Sequence, residues 1–223
     1  NSLTGSNQRV GNYGGVTVET KEGICRYNNY RFRIVDLPGT YSLSAYSIEE
    51  IVARDYLLHE KPDVVINVTD GTNLERNLYL TVQLREMAVP MVIALNMADE
   101  MDKRGLQVNL EVLSQDFGAP VVPTVGTRDL GMKELLDKVI EVSAGRWSGH
   151  HTPPIRYGDA IETELRKIFQ ILGDHRNSLA PFQAAGGKST LLMNSPQWLA
   201  IKLLENDQNL IQHLQQAGLW DSL

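Results

Sequence analysis

The amino-acid sequence predicts an α/β fold in which a doubly wound sheet is followed by a small all-helical domain. In the first part of the chain, short apolar runs alternate with segments of helical periodicity, the pattern of parallel strands joined by helices. A stretch rich in Gly, Ser and Pro interrupts this pattern, and we interpret residues 146–156 as a linker. Only the helical period recurs after it, so we expect a first domain at 1–145 and a helical domain at 157–223.

The elements of the first domain follow from the spacing of apolar residues. Nearly continuous apolar runs at 64–68 and 90–95 indicate strands buried on both faces. Ile48, Val52 and Tyr56 recur at helical spacing, which predicts an amphipathic helix around them. The predicted order is strands at 16–25 and 31–35, a helix at 47–59, a strand at 64–68, a helix at 74–87, a strand at 90–95, a helix at 110–117, a short strand at 121–122 and a helix at 132–142.

The second domain is predicted to contain helices at 159–172, 196–204 and 208–217. Ile161, Leu165, Ile168 and Phe169 lie at helical spacing in the first of these helices. Such a stripe is most simply a packing face. We therefore expect this domain to act through packing rather than through chemistry of its own.

Composition limits the classes of function. The chain has 223 residues, of which 42% are hydrophobic, so it can bury a full core. A single cysteine, Cys25, rules out an internal disulfide framework and fits a reducing compartment. The net charge of −6 disfavours nucleic acid as the main partner. No apolar stretch approaches the ~20 residues that span a bilayer, so we expect a soluble intracellular domain.

A first motif, of the form D-x-x-G, ends the predicted strand at 31–35; it is Asp36-Leu37-Pro38-Gly39. The Asp36 carboxylate can hold Mg²⁺ through water, and Gly39 lets its backbone N–H approach a terminal phosphate. Asp, Pro and Gly are also common turn formers, so the tetrapeptide alone is more often an ordinary turn.

A second motif, of the form N-x-x-D, ends the strand at 90–95; it is Asn96-Met97-Ala98-Asp99. A carboxylate at Asp99 can accept from both N1–H and the exocyclic amine of guanine, and it would reject adenine because N1 of adenine is an acceptor. A lone N-x-x-D is also a common helix cap.

Two further loops stand in series with these motifs. Thr17 can supply a hydroxyl to Mg²⁺ from a mobile loop, and backbone N–H groups after the strand at 121–122 can reach the guanine O6. Because open α/β sheets bind ligands at the carboxyl ends of their strands, the loops predict one nucleotide site, with GTP or GDP and Mg²⁺ as cofactors and Thr17 and Asp36 as metal ligands. The two loops are Gly15-Val16-Thr17-Val18-Glu19 and Val125-Gly126-Thr127-Arg128; in the second loop, Val125, Gly126 and Thr127 are the predicted site residues.

These segments resemble a known family. The chain is similar, densely over residues 1–145, to the cytoplasmic N-terminal region of FeoB, the bacterial ferrous-iron transporter. The segments that carry the resemblance are Asn1-Ser2-Leu3-Thr4-Gly5, Arg9-Val10-Gly11-Asn12, Gly15 to Glu19, Asp36-Leu37-Pro38-Gly39-Thr40-Tyr41-Ser42-Leu43 and Asn73-Leu74-Glu75-Arg76-Asn77-Leu78-Tyr79-Leu80-Thr81. The resemblance implies a GTPase domain at the cytoplasmic face of the bacterial inner membrane, followed by a helical domain that slows GDP release. The implied partner is a membrane permease C-terminal to this chain, and a second copy of the chain, in a homo-oligomer, is a further option. Potassium is implied as an additional cofactor.

The resembled family opens with a strand and a phosphate loop, G-x-x-x-x-G-K-[ST], and no such loop precedes Asn1. The run Gly186-Gly187-Lys188-Ser189-Thr190 has the right ending but lacks the first glycine and a preceding strand, so we expect a loop between helices. The predicted fold is therefore a GTPase-like sheet that lacks its first strand and phosphate loop.

The sequence identifies no catalytic residue. Many GTPases place a glutamine after D-x-x-G to orient water, and Thr40 stands there in this chain, which predicts slow hydrolysis. The leading hypothesis is a GTP-binding, slowly GTP-hydrolysing domain that couples nucleotide state to ferrous-iron uptake by a membrane permease and needs the phosphate loop for activity. The main alternative is a non-catalytic GTPase-like module that regulates a membrane partner. A ribosome- or tRNA-associated GTPase would be expected to carry a basic region, which this acidic chain lacks.

Overall fold

A computed structural model describes residues 3, 8–12, 19–44, 46–147, 155–174 and 195–216 of the chain. It contains an α/β part followed by a helical part, which confirms the predicted fold class. The elements are β1 (Gln8–Asn12), β2 (Glu19–Tyr27), β3 (Tyr30–Asp36), α1 (Ile48–Glu60), β4 (Val65–Asp70), α2 (Leu74–Glu86), β5 (Met91–Asn96), α3 (Ala98–Lys103), α4 (Leu110–Phe117), β6 (Val121–Pro123), α5 (Met132–Ser143), α6 (Asp159–Asp174), α7 (Pro196–Leu204) and α8 (Gln208–Gln216).

The strands form two three-stranded sheets. β1, β2 and β3 are antiparallel, and the β2–β3 hairpin turns at Asn28 and Asn29, both of which have positive φ, as two-residue hairpin turns favour. β4, β5 and β6 are parallel, with Asp70 opposite Asn96 and Leu95 opposite Pro123. In the described part of the chain, no strand pairs with both β3 and β4, so the two sheets are not hydrogen-bonded to each other. The second sheet therefore brings three carboxyl ends to one edge.

Local capping explains where several helices begin. Ser47 and Glu50 form a capping box at the start of α1, in which each side chain accepts from the other residue's backbone N–H. The Asn109 side chain accepts from the first turn of α4, and that helix ends at Gly118, whose φ is 63°. Ser195 caps α7, and Pro196 occupies its first turn.

The main core is shared between the α/β part and the helical part. Leu57 of α1, Leu84 of α2 and Ile93 of β5 belong to the same buried cluster as Trp198 of α7 and Leu210 of α8. A second cluster fills the opposite face of the parallel sheet, where α5 packs on it. The helical part is thus docked against α1 and α2 rather than tethered at a distance.

Two short elements, β1 and α3, were not predicted from sequence. β1 is polar and lacks alternation, and α3 has only six residues. Residues 16–18 of the first predicted strand, residues 148–154 of the linker and the run 186–190 lie outside the described residues. Across the described ranges, none of the helices combines the length and apolarity needed to span a bilayer.

Candidate nucleotide site

Asn96 ties the end of β5 to the loop that follows β6. Its Oδ1 accepts from the backbone N–H of Gly126 at 3.0 Å and from the Thr124 hydroxyl at 3.3 Å. Ala98 N–H also donates to the Thr124 carbonyl at 3.2 Å. The structure therefore brings together the two predicted loops that follow β5 and β6, because their strands are neighbours in a parallel sheet.

Met97 carries the sharp change in chain direction between these contacts. Its φ of 62° and ψ of 33° lie in the left-handed region, which costs a residue with a Cβ on the order of 1–3 kcal/mol. This conformation starts α3 directly after β5 and puts Asp99 in the first turn of α3. The Asp99 side chain is 23% exposed, so its carboxylate remains accessible from the sheet edge.

Arg128 belongs to the loop predicted for the guanine edge, but the sequence assigned it no role in the site. It ends the short 3₁₀ turn Gly126–Arg128, and its Nη2 lies 3.5 Å from Oδ2 of Asp99. Its side chain is 61% exposed. The only signal in the sequence is its position, immediately after Thr127 in a loop predicted to face the N-x-x-D motif.

The D-x-x-G motif begins at the end of β3, as predicted. Asp36 is the last residue of that strand and is exposed, and the position of a Cβ on Gly39 would be open space. An exposed carboxylate suits water-mediated Mg²⁺ binding, because Mg²⁺ keeps most of its water ligands. Leu37 and Pro38 follow in a segment without regular structure.

The Thr40 hydroxyl makes hydrogen bonds within its own turn. Its hydroxyl donates to the Ser42 carbonyl at 2.7 Å and accepts from the Ser42 N–H at 3.2 Å. A hydroxyl committed to the backbone in this way stabilises the loop and is poorly placed to orient water.

Helices α1 and α2 hold the segment after D-x-x-G. Gln83 of α2 is buried; its Oε1 accepts from Leu43 N–H at 2.5 Å and its Nε2 donates to the Ser44 hydroxyl at 3.4 Å. Glu50 of α1 accepts from the Ser42 hydroxyl at 2.6 Å. The position of this loop is therefore linked to the position of both helices.

The first predicted loop falls largely outside the described residues. Gly15, Val16, Thr17 and Val18 belong to that undescribed stretch, and Glu19 opens β2 with a side chain that is not described. The predicted pairing of Thr17 with Asp36 at a metal thus stays a prediction. Among the described residues no three His, Cys, Asp or Glu side chains converge as a metal cluster.

A buried ion pair joins α1 to the helical part. Nη1 of Arg54 lies 2.8 Å from Oδ2 of Asp207, and the two side chains are 1% and 5% exposed. The other Arg54 amino group donates to the side chain of Asn209 in α8. The helix that follows D-x-x-G is therefore fixed to the helical part by a desolvated charge pair.

A second polar contact joins α2 to the helical part. The Tyr157 hydroxyl donates to the Glu86 carboxylate, and the Ser195 hydroxyl donates to the Glu86 backbone carbonyl. Burial raises the pKa of Glu86 to about 7, against the opposing charge of Lys202, while Glu205 raises it further. Both helices that hold the D-x-x-G loop thus make polar contacts with the helical part.

Comparison with known proteins agrees with this architecture. The family model for ferrous iron transport protein B matches residues 1–139, and that for the FeoB cytosolic helical domain matches residues 157–222. A Fe(2+) transport protein A/Fe(2+) transporter FeoB fusion protein of Porphyromonas gingivalis is 44% identical over 94% of this chain and 24% of its own length. The Fe(2+) transporter FeoB of Methanocaldococcus jannaschii is 40% identical over the whole chain and 31% of its own length.

Solved structures show the same fold. The cytosolic domain of the T. maritima FeoB iron transporter in a GDP form has a TM-score of 0.82 and 35% identity, covering 98% of this chain and 80% of that one. Its GMPPNP form has a TM-score of 0.81 and 34% identity, covering 98% of this chain and 79% of that one. The chain spans 24% and 31% of the lengths of the FeoB relatives from Porphyromonas gingivalis and Methanocaldococcus jannaschii. From its sheet-edge motifs, its docked helical part and these matches, the chain belongs to the FeoB family of ferrous iron transport proteins.

Proposed function

We propose that this chain is a GTP-binding, slowly GTP-hydrolysing domain that couples nucleotide state to ferrous-iron uptake by a membrane permease. The observation that carries the proposal is the joined pair of loops at the sheet edge, in which Asn96 holds the Gly126 backbone and Asp99 lies beside Arg128 of the same loop. The T. maritima structures in GDP and GMPPNP forms support a guanine nucleotide as the ligand.

Selection of guanine follows from hydrogen-bond chemistry. The two oxygens of Asp99 would accept from N1–H and the exocyclic amine of guanine. The backbone N–H of Thr127 in the Val125 to Thr127 loop would face the O6 atom, because the N–H groups of Val125 and Gly126 already donate to Leu130 and Asn96. Adenine offers an acceptor at N1 and would leave a carboxylate lone pair unpaired, which is costly in a partly buried site.

At the phosphate end, Asp36 and Thr17 would hold Mg²⁺, and the Gly39 N–H would donate to a terminal phosphate. Bound Mg²⁺ would neutralise charge that develops on the phosphate oxygens. Hydrolysis would be slow because the Thr40 hydroxyl is engaged with Ser42. Potassium is a further cofactor of this proposal, on the family resemblance alone.

The helical part would regulate nucleotide release. Its contacts with Arg54 and Glu86 lie on the two helices that hold the D-x-x-G loop, so any movement of that loop between nucleotide states changes the cost of keeping these contacts. The partner would be a membrane permease in the same protein, which places this chain at the cytoplasmic face of the bacterial inner membrane.

The test is an NMR titration of the ¹⁵N-labelled chain with GDP and with ADP. We expect GDP to shift the amide signals of Asn96 to Asp99 and of Val125 to Arg128 at concentrations where ADP does not. Equal shifts with both nucleotides, or shifts confined to other regions, would contradict the proposal. Phosphate release from GTP by the full-length protein separates a slow GTPase from the non-catalytic alternative.

A further inference from the structure

Arg128 combines a hydrogen-bonded backbone turn with an exposed side chain. The backbone of its turn is held by the bond from Gly126 N–H to Asn96 and by two bonds between Val125 and Leu130. The side chain itself is 61% exposed, and its one described ion-pair partner is Asp99. The position of the Arg128 backbone is therefore fixed, while its exposed guanidinium can move away from the Asp99 carboxylate.

The chemistry of this pair resembles that of the ligand. Guanine presents N1–H and the exocyclic amine on one carbon, and these atoms form a guanidine fragment with two donors side by side. The Arg128 guanidinium presents the same kind of donor edge and adds a full positive charge. A carboxylate that recognises one edge is thus also suited to the other.

We infer that Arg128 is a built-in competitor for guanine, which pairs with Asp99 in the empty site and must be displaced when the base binds. This inference rests on the proposed function, since it assigns Asp99 to the base. Arg128 is accordingly a specificity-determining residue that acts through Asp99. It lowers affinity for guanine nucleotides while keeping the carboxylate neutralised between binding events.

The expected size of the effect is modest. Exposed ion pairs contribute up to the equivalent of about fivefold in an equilibrium constant, because solvent screens them. Arg128→Gln should therefore bind GDP about two- to fivefold more tightly than the unaltered chain. Arg104→Gln is the matched control, because it removes one exposed arginine at the end of α3 and makes no described contact with Asp99.

The experiment measures GDP and ADP affinities by NMR titration for the unaltered chain, Arg128→Gln and Arg104→Gln. A second pair carries Asp99→Asn with and without Arg128→Gln, titrated with XDP. We expect tighter GDP binding only for Arg128→Gln, and no effect of that change in the Asp99→Asn background, where the charge pair is gone. A melting curve of each variant establishes that it is folded.

The outcomes separate the two claims. If GDP is preferred over ADP but Arg128→Gln binds GDP no more tightly than Arg104→Gln, the inference is overturned and the proposed function stands. Weaker GDP binding by Arg128→Gln would mean that the arginine supports the base instead of competing with it. If no variant prefers GDP over ADP, the proposed function fails and this inference fails with it.

Discussion

Asn96 and Asp99 have different roles within one four-residue motif. Asn96 is structural, since its side chain connects the ends of two strands through Thr124 and Gly126. Asp99 reaches the same loop only through a weaker contact with the exposed side chain of Arg128. The left-handed backbone of Met97 separates the two roles, because it turns the chain between the anchoring residue and the one that faces outward.

Glu86 is the residue whose ionisation should influence docking of the helical part. Burial raises its pKa to about 7, opposed by Lys202 and reinforced by Glu205, and its carboxylate accepts from the Tyr157 hydroxyl. A carboxyl whose pKa is higher in the folded state binds more protons there than in the unfolded state. Its stabilising contribution is therefore present at low pH and is lost as the pH rises towards 7.

The raised pKa of Glu86 predicts a pH-dependent stability of the chain. Relative to Glu86→Gln, the unaltered chain should lose unfolding free energy between about pH 5 and about pH 7, and the difference should level off above that range. Urea denaturation followed by tryptophan fluorescence measures it, since Trp198 lies in the docked helix. Glu164→Gln, on the exposed face of α6, is the control. A pH-independent difference would show that Glu86 is not protonated in the folded chain.

Helix α1 connects two parts of the molecule at the scale of whole elements. Its N-terminal Glu50 contacts the loop after D-x-x-G, and Arg54, one turn later, makes the buried ion pair with Asp207. Asp207 also accepts from Leu210 N–H at the start of α8. A displacement of α1 therefore acts on the position of α8 through the buried contacts of Arg54 with Asp207 and Asn209.

A double-mutant cycle tests the strength of this connection. Arg54→Met should destabilise the chain by about 3–5 kcal/mol, because it leaves Asp207 buried without its counter-charge. Asp207→Asn keeps the cap on α8 and removes the charge, so adding it to Arg54→Met should restore part of the loss. Urea unfolding gives the four free energies. Additive single effects would indicate that the pair is solvated and does not couple the elements.

For the whole molecule, the spacing of apolar residues predicted most elements, and long-range packing was not predictable. α1 and α4 lie close to the predicted helices at 47–59 and 110–117, and the structure adds the local caps at Ser47 and Asn109. β5 was predicted because its apolar run is continuous. No local pattern indicates that Trp198 packs against α1 and α2, because that contact depends on how the chain returns after the linker.

The candidate site, too, was predicted only in part. Because parallel strands end at one edge of a sheet, the loops that contain Asn96 and Gly126 were predicted to share one site, whereas the hydrogen bond between these two residues was not predicted. An exposed arginine in a loop carries no periodic signal, so Arg128 was placed in the loop without a role. Thr17 and its loop stay a prediction.

The central claim, that Asp99 reads guanine, is tested most directly by Asp99→Asn. An asparagine amide offers a donor where the carboxylate offered an acceptor, which suits the C2 oxygen of xanthine. A good two-point contact is worth about 1–3 kcal/mol, by analogy with base readout elsewhere. Titration of the variant with GDP and XDP should show GDP binding weakened by about tenfold or more and XDP binding strengthened. Unchanged affinities for both nucleotides would contradict the assignment of Asp99 to the base.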